Sequence, residues 1–121
     1  MFASARCAGT PPRDEAEALW HDFNTARPGC DMQLGALREL LGTDLPEELT
    51  VLSPVYFDYG SKTSFGDGCF VNHGCYFIDG GSITFGDRVF IGPFRGFYTA
   101  TDPARNEATS RVRKRIWAAR L

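Results

Sequence analysis

From residue 65 to residue 98 the apolar side chains keep a six-residue count. Phe65, Val71 and Phe77 open three successive blocks, and after a slip of two residues Phe85, Ile91 and Phe97 open three more. That period belongs neither to an amphipathic helix nor to a half-buried strand, which repeat at 3.6 and 2 residues. A short strand and a turn together use six residues, so three blocks return the chain to a point above its start, at about 18 residues per coil. All five intervals between leaders fit six or six plus two, which favours this coil over its competitor, a β-meander with Gly turns.

In such a coil the leaders point into a narrow triangular prism, and Cys69, Cys75 and Val89, each four residues after a leader, point inward as well. The Gly and Asp residues behind the leaders suit sharp corners, because Gly tolerates positive φ and Asp side chains bond the amides of their own turns. Two features strain the pattern. The Phe leaders are bulkier than aliphatic ones, so crowding is expected. Arg95 falls four residues after Ile91, at an inward position where a guanidinium is costly unless it reaches an end of the prism or finds a partner.

The first third of the chain reads differently. Thr10-Pro11-Pro12 followed by acidic Asp14, Glu15 and Glu17 predicts a helix start, with Leu19, Trp20 and Phe23 as its apolar stripe. After Pro28-Gly29, Asp31 is the expected N-cap of a second helix that carries Leu34, Leu37, Leu40 and Leu41 and ends at Gly42. Three segments result: a helical region over 1–50, a partial coil over 51–101, and a divergent basic stretch over 102–121.

With 121 residues the chain is one domain with a modest core. A net charge of −2 provides no overall field to gather nucleic acid or an anionic membrane. The four cysteines show no C-x-x-C spacing, and neither His21 nor His73 sits in a zinc-ligand pattern, so no metal is expected and the thiols read as buried small residues. Residues 1–10 lack the charged start and apolar run of a secretory signal, and no apolar run reaches membrane-spanning length, which points to a cytoplasmic protein with free thiols.

The ordered set D-Y-G at 58–60, N-x-x-C at 72–75, I-D at 78–79 and F-G-D-x-V-x-I-G-P at 85–93, closed by "FYTAT" at 97–101, resembles the galactoside and maltose O-acetyltransferases. These are sugar acetyltransferases of the hexapeptide-repeat superfamily. With the upstream "WHDFN" and "LRELLG", the likeness covers residues 14 to 101. It implies a mainly β chain, a left-handed parallel β-helix, incomplete here and preceded by two short α-helices. It also implies a homotrimer in which acetyl-CoA, the co-substrate, and an acceptor sugar meet in clefts between subunits. The expected function is acetyl-CoA-dependent O-acetyl transfer to a sugar hydroxyl, with a base for the hydroxyl proton and amide donors for the oxyanion.

Carried over residue by residue, the resemblance places Asp58, Phe70 and Asn72 at the acceptor. Asp58 would accept hydrogen bonds from sugar hydroxyls or, equally, cap its own turn. Phe70 would wall the sugar, and Asn72 would hold acceptor and base in place. Asp79 fits an "I-D" corner that touches either the acceptor or the turn. His73 matches a variable position with no family role and is read as a surface residue, and His21, next to Trp20 on the first helix, as a surface or packing residue.

The chain departs from the family after "YTAT". There the family has His-Pro, whose histidine is the base, whereas Asp102-Pro103 follows here directly. Either Asp102 stands in its place or, the preferred reading, the few residues that held it are missing; in both readings the family's base is absent near Asp102 and the catalytic residue is unknown. The family also continues with further coils. The stretch "NEATSRVRKRIWAARL" suits a basic amphipathic helix for a membrane surface or acidic partner, a shifted reading frame, or a solvated tail. A second functional reading follows from this departure: a non-catalytic β-helix fragment that acts only in self-association or partner binding.

Overall fold

A computed structural model describes residues 12–99 and 109–112. Two helices, α1 (Pro12–Thr25) and α2 (Asp31–Leu41), precede nine short strands. The strands are β1 (Thr50–Val51), β2 (Val55–Phe57), β3 (Thr63–Phe65), β4 (Phe70–Val71), β5 (Cys75–Ile78), β6 (Ser82–Phe85), β7 (Phe90–Ile91), β8 (Gly96–Tyr98) and β9 (Thr109–Val112). They form three sheets in the orders β1-β4-β7, β2-β5-β8 and β3-β6-β9, and every pairing is parallel. The chain therefore winds through three faces in turn.

The register corrects the expected coil length. Thr50 stands below Phe70 and Phe70 below Phe90, so one coil takes 20 residues and not 18. The two extra residues belong to the corner between the second and third faces, where Phe57 leads to Phe65 and Phe77 to Phe85 over eight residues instead of six. The slip seen at residues 79–84 is thus a regular part of each coil. The rhythm also starts one coil earlier than the sequence suggested, at Val51 and Phe57. Thr109–Val112, within the stretch expected to diverge, form a strand parallel to β6, with Phe85 opposite Val112.

Every leader from Phe57 onward is buried and Val51 is half-buried, and the leaders sort into columns. Val51, Val71 and Ile91 make an aliphatic column. Phe57, Phe77 and Phe97 stack with centroid spacings of 4.8 and 5.2 Å, and Phe65 stacks on Phe85 at 4.9 Å. Between the two aromatic columns the rings meet edge to face, Phe77 against Phe85 at 5.7 Å and Phe85 against Phe97 at 5.1 Å. Both arrangements suit the ring quadrupole. The expected crowding is resolved in this way, since parallel strands set their rings one stacking distance apart.

Corner aspartates work differently from the expectation that each bonds its own turn. Asp87 Oδ1 accepts from the Asp67 amide at 2.9 Å, and Asp67 Oδ1 from the Glu47 amide at 3.1 Å. Each carboxylate thus serves the corner one coil below, whose amide is not used by the strand ladder. The same corner repeats its backbone: Glu48, Gly68 and Arg88, 20 residues apart, all have positive φ.

The helices close the lower end of the coil. Asn24 on α1 donates from Nδ2 to the Val55 carbonyl at 2.9 Å and accepts from the Val55 amide at Oδ1 at 2.8 Å. One turn earlier, Trp20 Nε1 donates to the Phe57 carbonyl at 3.0 Å. These two side chains occupy the free edge of β2 as a neighbouring strand would, which protects the edge from pairing with other chains. At the neighbouring corner Gly60 has φ +80°, and a Cβ there would lie 2.7 Å from the Leu40 carbonyl oxygen, so only glycine lets α2 pack this closely.

Two expectations for α2 are corrected. Its N-cap is Cys30, whose Sγ accepts from the Gln33 amide at 3.4 Å, and Asp31 is the first helical residue. Leu34 is exposed, while Gln33 is buried in its place. Gln33 satisfies both ends of its amide, donating to the Phe23 carbonyl and accepting from the Gly29 amide at 2.7 Å, and so ties the loop to both helices. Gly42 ends the helix in the left-handed conformation, as expected, with its N–H on the Arg38 carbonyl.

Candidate functional site

The four residues expected at an acceptor are dispersed over the coil. Asp58 directly follows β2, and its Oδ1 lies 3.6 Å from Arg13 Nη2 on α1. It lines an open groove of about 300 Å³ with Arg13, Asp14, Glu17, Trp20 and Phe57, to which neither Phe70, Asn72 nor Asp79 contributes. The ion pair is weakly held, because Arg13 is largely exposed and water screens it. Asp58 is therefore available to a ligand at small cost.

Phe70 and Asn72 belong to a different face. Phe70, on β4, is half-buried and packs on Phe90 with centroids 4.6 Å apart. Asn72 begins the next corner, its amide held by the Ile91 carbonyl at 3.1 Å. Its Oδ1 accepts from the His73 amide at 2.8 Å, which fixes the side chain and leaves the Nδ2 hydrogens as donors. Within one protomer Phe70 and Asn72 are neighbours, and Asp58 lies apart from them.

Asp79 is fully buried, and the geometry decides between its two open readings. Oδ1 accepts from the Tyr59 amide at 2.8 Å, and Oδ2 accepts from the Gly60 amide at 2.9 Å and the Thr63 hydroxyl at 2.8 Å. With three protein donors and no exposure, this carboxylate holds the corner of the coil below and has no free lone pair facing solvent. Its assignment to the acceptor is corrected accordingly. The close of the family-like stretch is tied down similarly: Thr99 Oγ1 donates to the Ile78 carbonyl at 2.7 Å and accepts from the Gly81 amide at 2.8 Å.

Arg95 sits half-buried on the last described coil, above Cys75, and its Nε donates to the Pro93 carbonyl at 3.1 Å. It thus takes the outlet that the inward position demanded. Asp102, next to which the family's histidine would stand, lies outside the described residues, as does Cys7.

Cys69 and Cys75 are buried, as expected, with Sγ bonded to the Gly86 carbonyl at 3.1 Å and the Gly92 carbonyl at 3.3 Å. Burial pushes both thiols above the ordinary value, more strongly than backbone hydrogen bonding lowers them. A raised thiol pKa means that folding favours the neutral form, so this contribution is complete at neutral pH and is lost as pH rises through the raised value. Since the thiolate is the reactive species, a disulfide reagent at neutral pH should leave Cys69 and Cys75 unmodified in the native protein and label both in urea. Mass spectrometry of the labelled peptides reads this out, and native labelling at either position would contradict the packing. Among the described residues, no cluster of His, Cys, Asp and Glu could hold a metal ion, and no helix is long and apolar enough to cross a membrane.

No protein-family model matches the chain. Over 92 residues it is 49% identical to a "putative acetyltransferase" of Staphylococcus haemolyticus and 37% identical to one of Saccharomyces cerevisiae. Each match takes in 75% of this chain and 47% and 46% of those proteins, so the chain spans about half the length of the curated relatives it matches. The fold matches the crystal structure of a hexapeptide-repeat acetyltransferase of Vibrio cholerae with a TM-score of 0.72 and 28% identity, over 85% of this chain and 62% of that one. The same protein complexed with acetyl-CoA matches with a TM-score of 0.68 and 31% identity, over 79% of this chain and 53% of that one. In sequence and in fold, the chain is similar to the hexapeptide-repeat acetyltransferases.

Proposed function

We propose that the chain serves acetyl transfer from acetyl-CoA to a sugar hydroxyl, as in the maltose and galactoside acetyltransferases, on a left-handed β-helix that assembles as a homotrimer in the cytoplasm. One observation carries the reading: a hexapeptide-repeat acetyltransferase that matches the fold with a TM-score of 0.68 and 31% identity is complexed with acetyl-CoA. The dispersal of the candidate residues supports the assembly. Asp58 on one face and Phe70 with Asn72 on another are each half of an acceptor site, and a cleft between protomers is what unites them. In that cleft Asp58 accepts from sugar hydroxyls, Asn72 Nδ2 donates to the acceptor, and Phe70 borders the ring.

Incubation of purified protein with acetyl-CoA and maltose, glucose or a galactoside, followed by free thiol, tests the reaction. The expected result is thiol release that depends on the sugar. Release no faster than in its absence counts against the reading, and sedimentation as a monomer counts against the shared cleft.

A further inference from the structure

We propose that His73 supplies the general base for this transfer. The inference rests on the acetyl-transfer reading above, and its warrant is the way the imidazole is held. Its Nδ1 lies 2.5 Å from the Ser53 carbonyl oxygen. A carbonyl can only accept, so Nδ1 carries a proton, and in the neutral ring Nε2 is the nitrogen that holds the lone pair. A hydrogen bond on one ring nitrogen selects the tautomer in which the other acts as base.

The surroundings suit the task. Among the described residues Nε2 has no protein partner, and the His73 side chain is exposed. His73 lines a groove of about 240 Å³ whose walls include Leu34, Leu49, Val51 and Leu52. Such a groove offers a ligand a largely apolar wall beside the imidazole. Asn72, next in the chain, has its Oδ1 tied to the His73 amide, so an amide donor and an imidazole base stand side by side on one rigid corner. That corner is anchored from both coils, since the Phe94 amide donates to the His73 carbonyl and the Gly74 amide to the Pro54 carbonyl, each at 2.8 Å. His21, the other histidine, is an exposed residue of α1 and lines neither described groove.

The step balances without another reagent. Nε2 takes the proton of the attacking hydroxyl as its oxygen bonds to the thioester carbonyl carbon. The C–S bond then breaks, and the coenzyme A thiolate recovers the proton from Nε2.

The test compares the wild type with His73→Asn, His73→Ala and His21→Asn in the sugar-dependent thiol-release assay, with acetyl-CoA binding measured separately by calorimetry. Asn at 73 keeps a donor for the Ser53 carbonyl and lacks the base, so it separates the chemistry from the fold. The expected result is a loss of about 100- to 10,000-fold in kcat for both His73 variants, unchanged acetyl-CoA affinity, partial rescue of His73→Ala by added imidazole, and no effect of His21→Asn. A His73→Asn variant with wild-type turnover overturns the assignment. So does a wild type that binds acetyl-CoA but transfers nothing, whereas a wild type that fails to bind acetyl-CoA removes the underlying reading along with it.

Discussion

Replacing Phe77 by alanine lowers the stability of the chain by about 3–5 kcal/mol, a large part of what a domain of this size possesses. Phe77 is completely buried at the centre of the prism. It stacks between Phe57 and Phe97 and meets Phe65 and Phe85 edge to face, at 5.8 and 5.7 Å. Deletion of the ring therefore removes the shared neighbour of four others. Collapse into the space is opposed by the ladder hydrogen bonds, which fix the strands above and below at their spacing. Denaturant unfolding followed by circular dichroism measures the loss. Phe77→Leu, which keeps much of the volume and forfeits the ring geometry, should fall between the two. Equal midpoints for wild type and Phe77→Ala would show that the columns do not carry the core.

The same columns show how much of the fold was legible in the sequence. A leader is a local signal, and Phe65, Val71, Phe77, Phe85, Ile91 and Phe97 all point inward as their spacing required. Val51 and Phe57 were harder to count, because the repeated F-G-D corner, at 65–67 and 85–87, follows the first and second coils and has no counterpart ahead of the first. The true coil length needed two full turns of register, and only one slip was visible. Interactions between distant residues left no signal at all. Trp20 and Asn24 cap β2 across 37 and 31 residues of chain, and nothing in a helical stripe distinguishes a side chain facing a strand edge from one facing a core. Cys30 as an N-cap was obscured by Asp31, the stronger capping type one residue later.

The candidate site was legible in part for a related reason. Phe70 and Asn72 are two residues apart on one strand and its corner, so a local motif names them together and the coil keeps them on one face. Asp58 and Asn72 share a motif set and not a face, a distinction that depends on the order of faces around the coil. The fixed tautomer of His73 comes from Ser53, 20 residues earlier, and becomes visible only when one coil is laid on the other.

Asp79 shows how such stacking turns a site-like residue into a structural one, and its removal has the second large effect. Asp79→Ala leaves the Tyr59 amide, the Gly60 amide and the Thr63 hydroxyl facing a small cavity, and each buried donor without a partner costs about 1–3 kcal/mol. The expected loss is at least about 3 kcal/mol, read from the shift of the urea midpoint. Asp79→Asn is the informative companion. Its carbonyl oxygen can still accept from Tyr59, and the Thr63 hydroxyl can turn to accept from the new amide, so the Gly60 amide alone loses its partner. That variant should lose about 1–3 kcal/mol and fall between wild type and Asp79→Ala. An acceptor-binding carboxylate would behave in the opposite manner, raising KM for the sugar while leaving the midpoint in place. Because Gly60 is also where α2 meets the coil, the loss in Asp79→Ala should extend to the helices, and their far-UV signal should melt together with the strands.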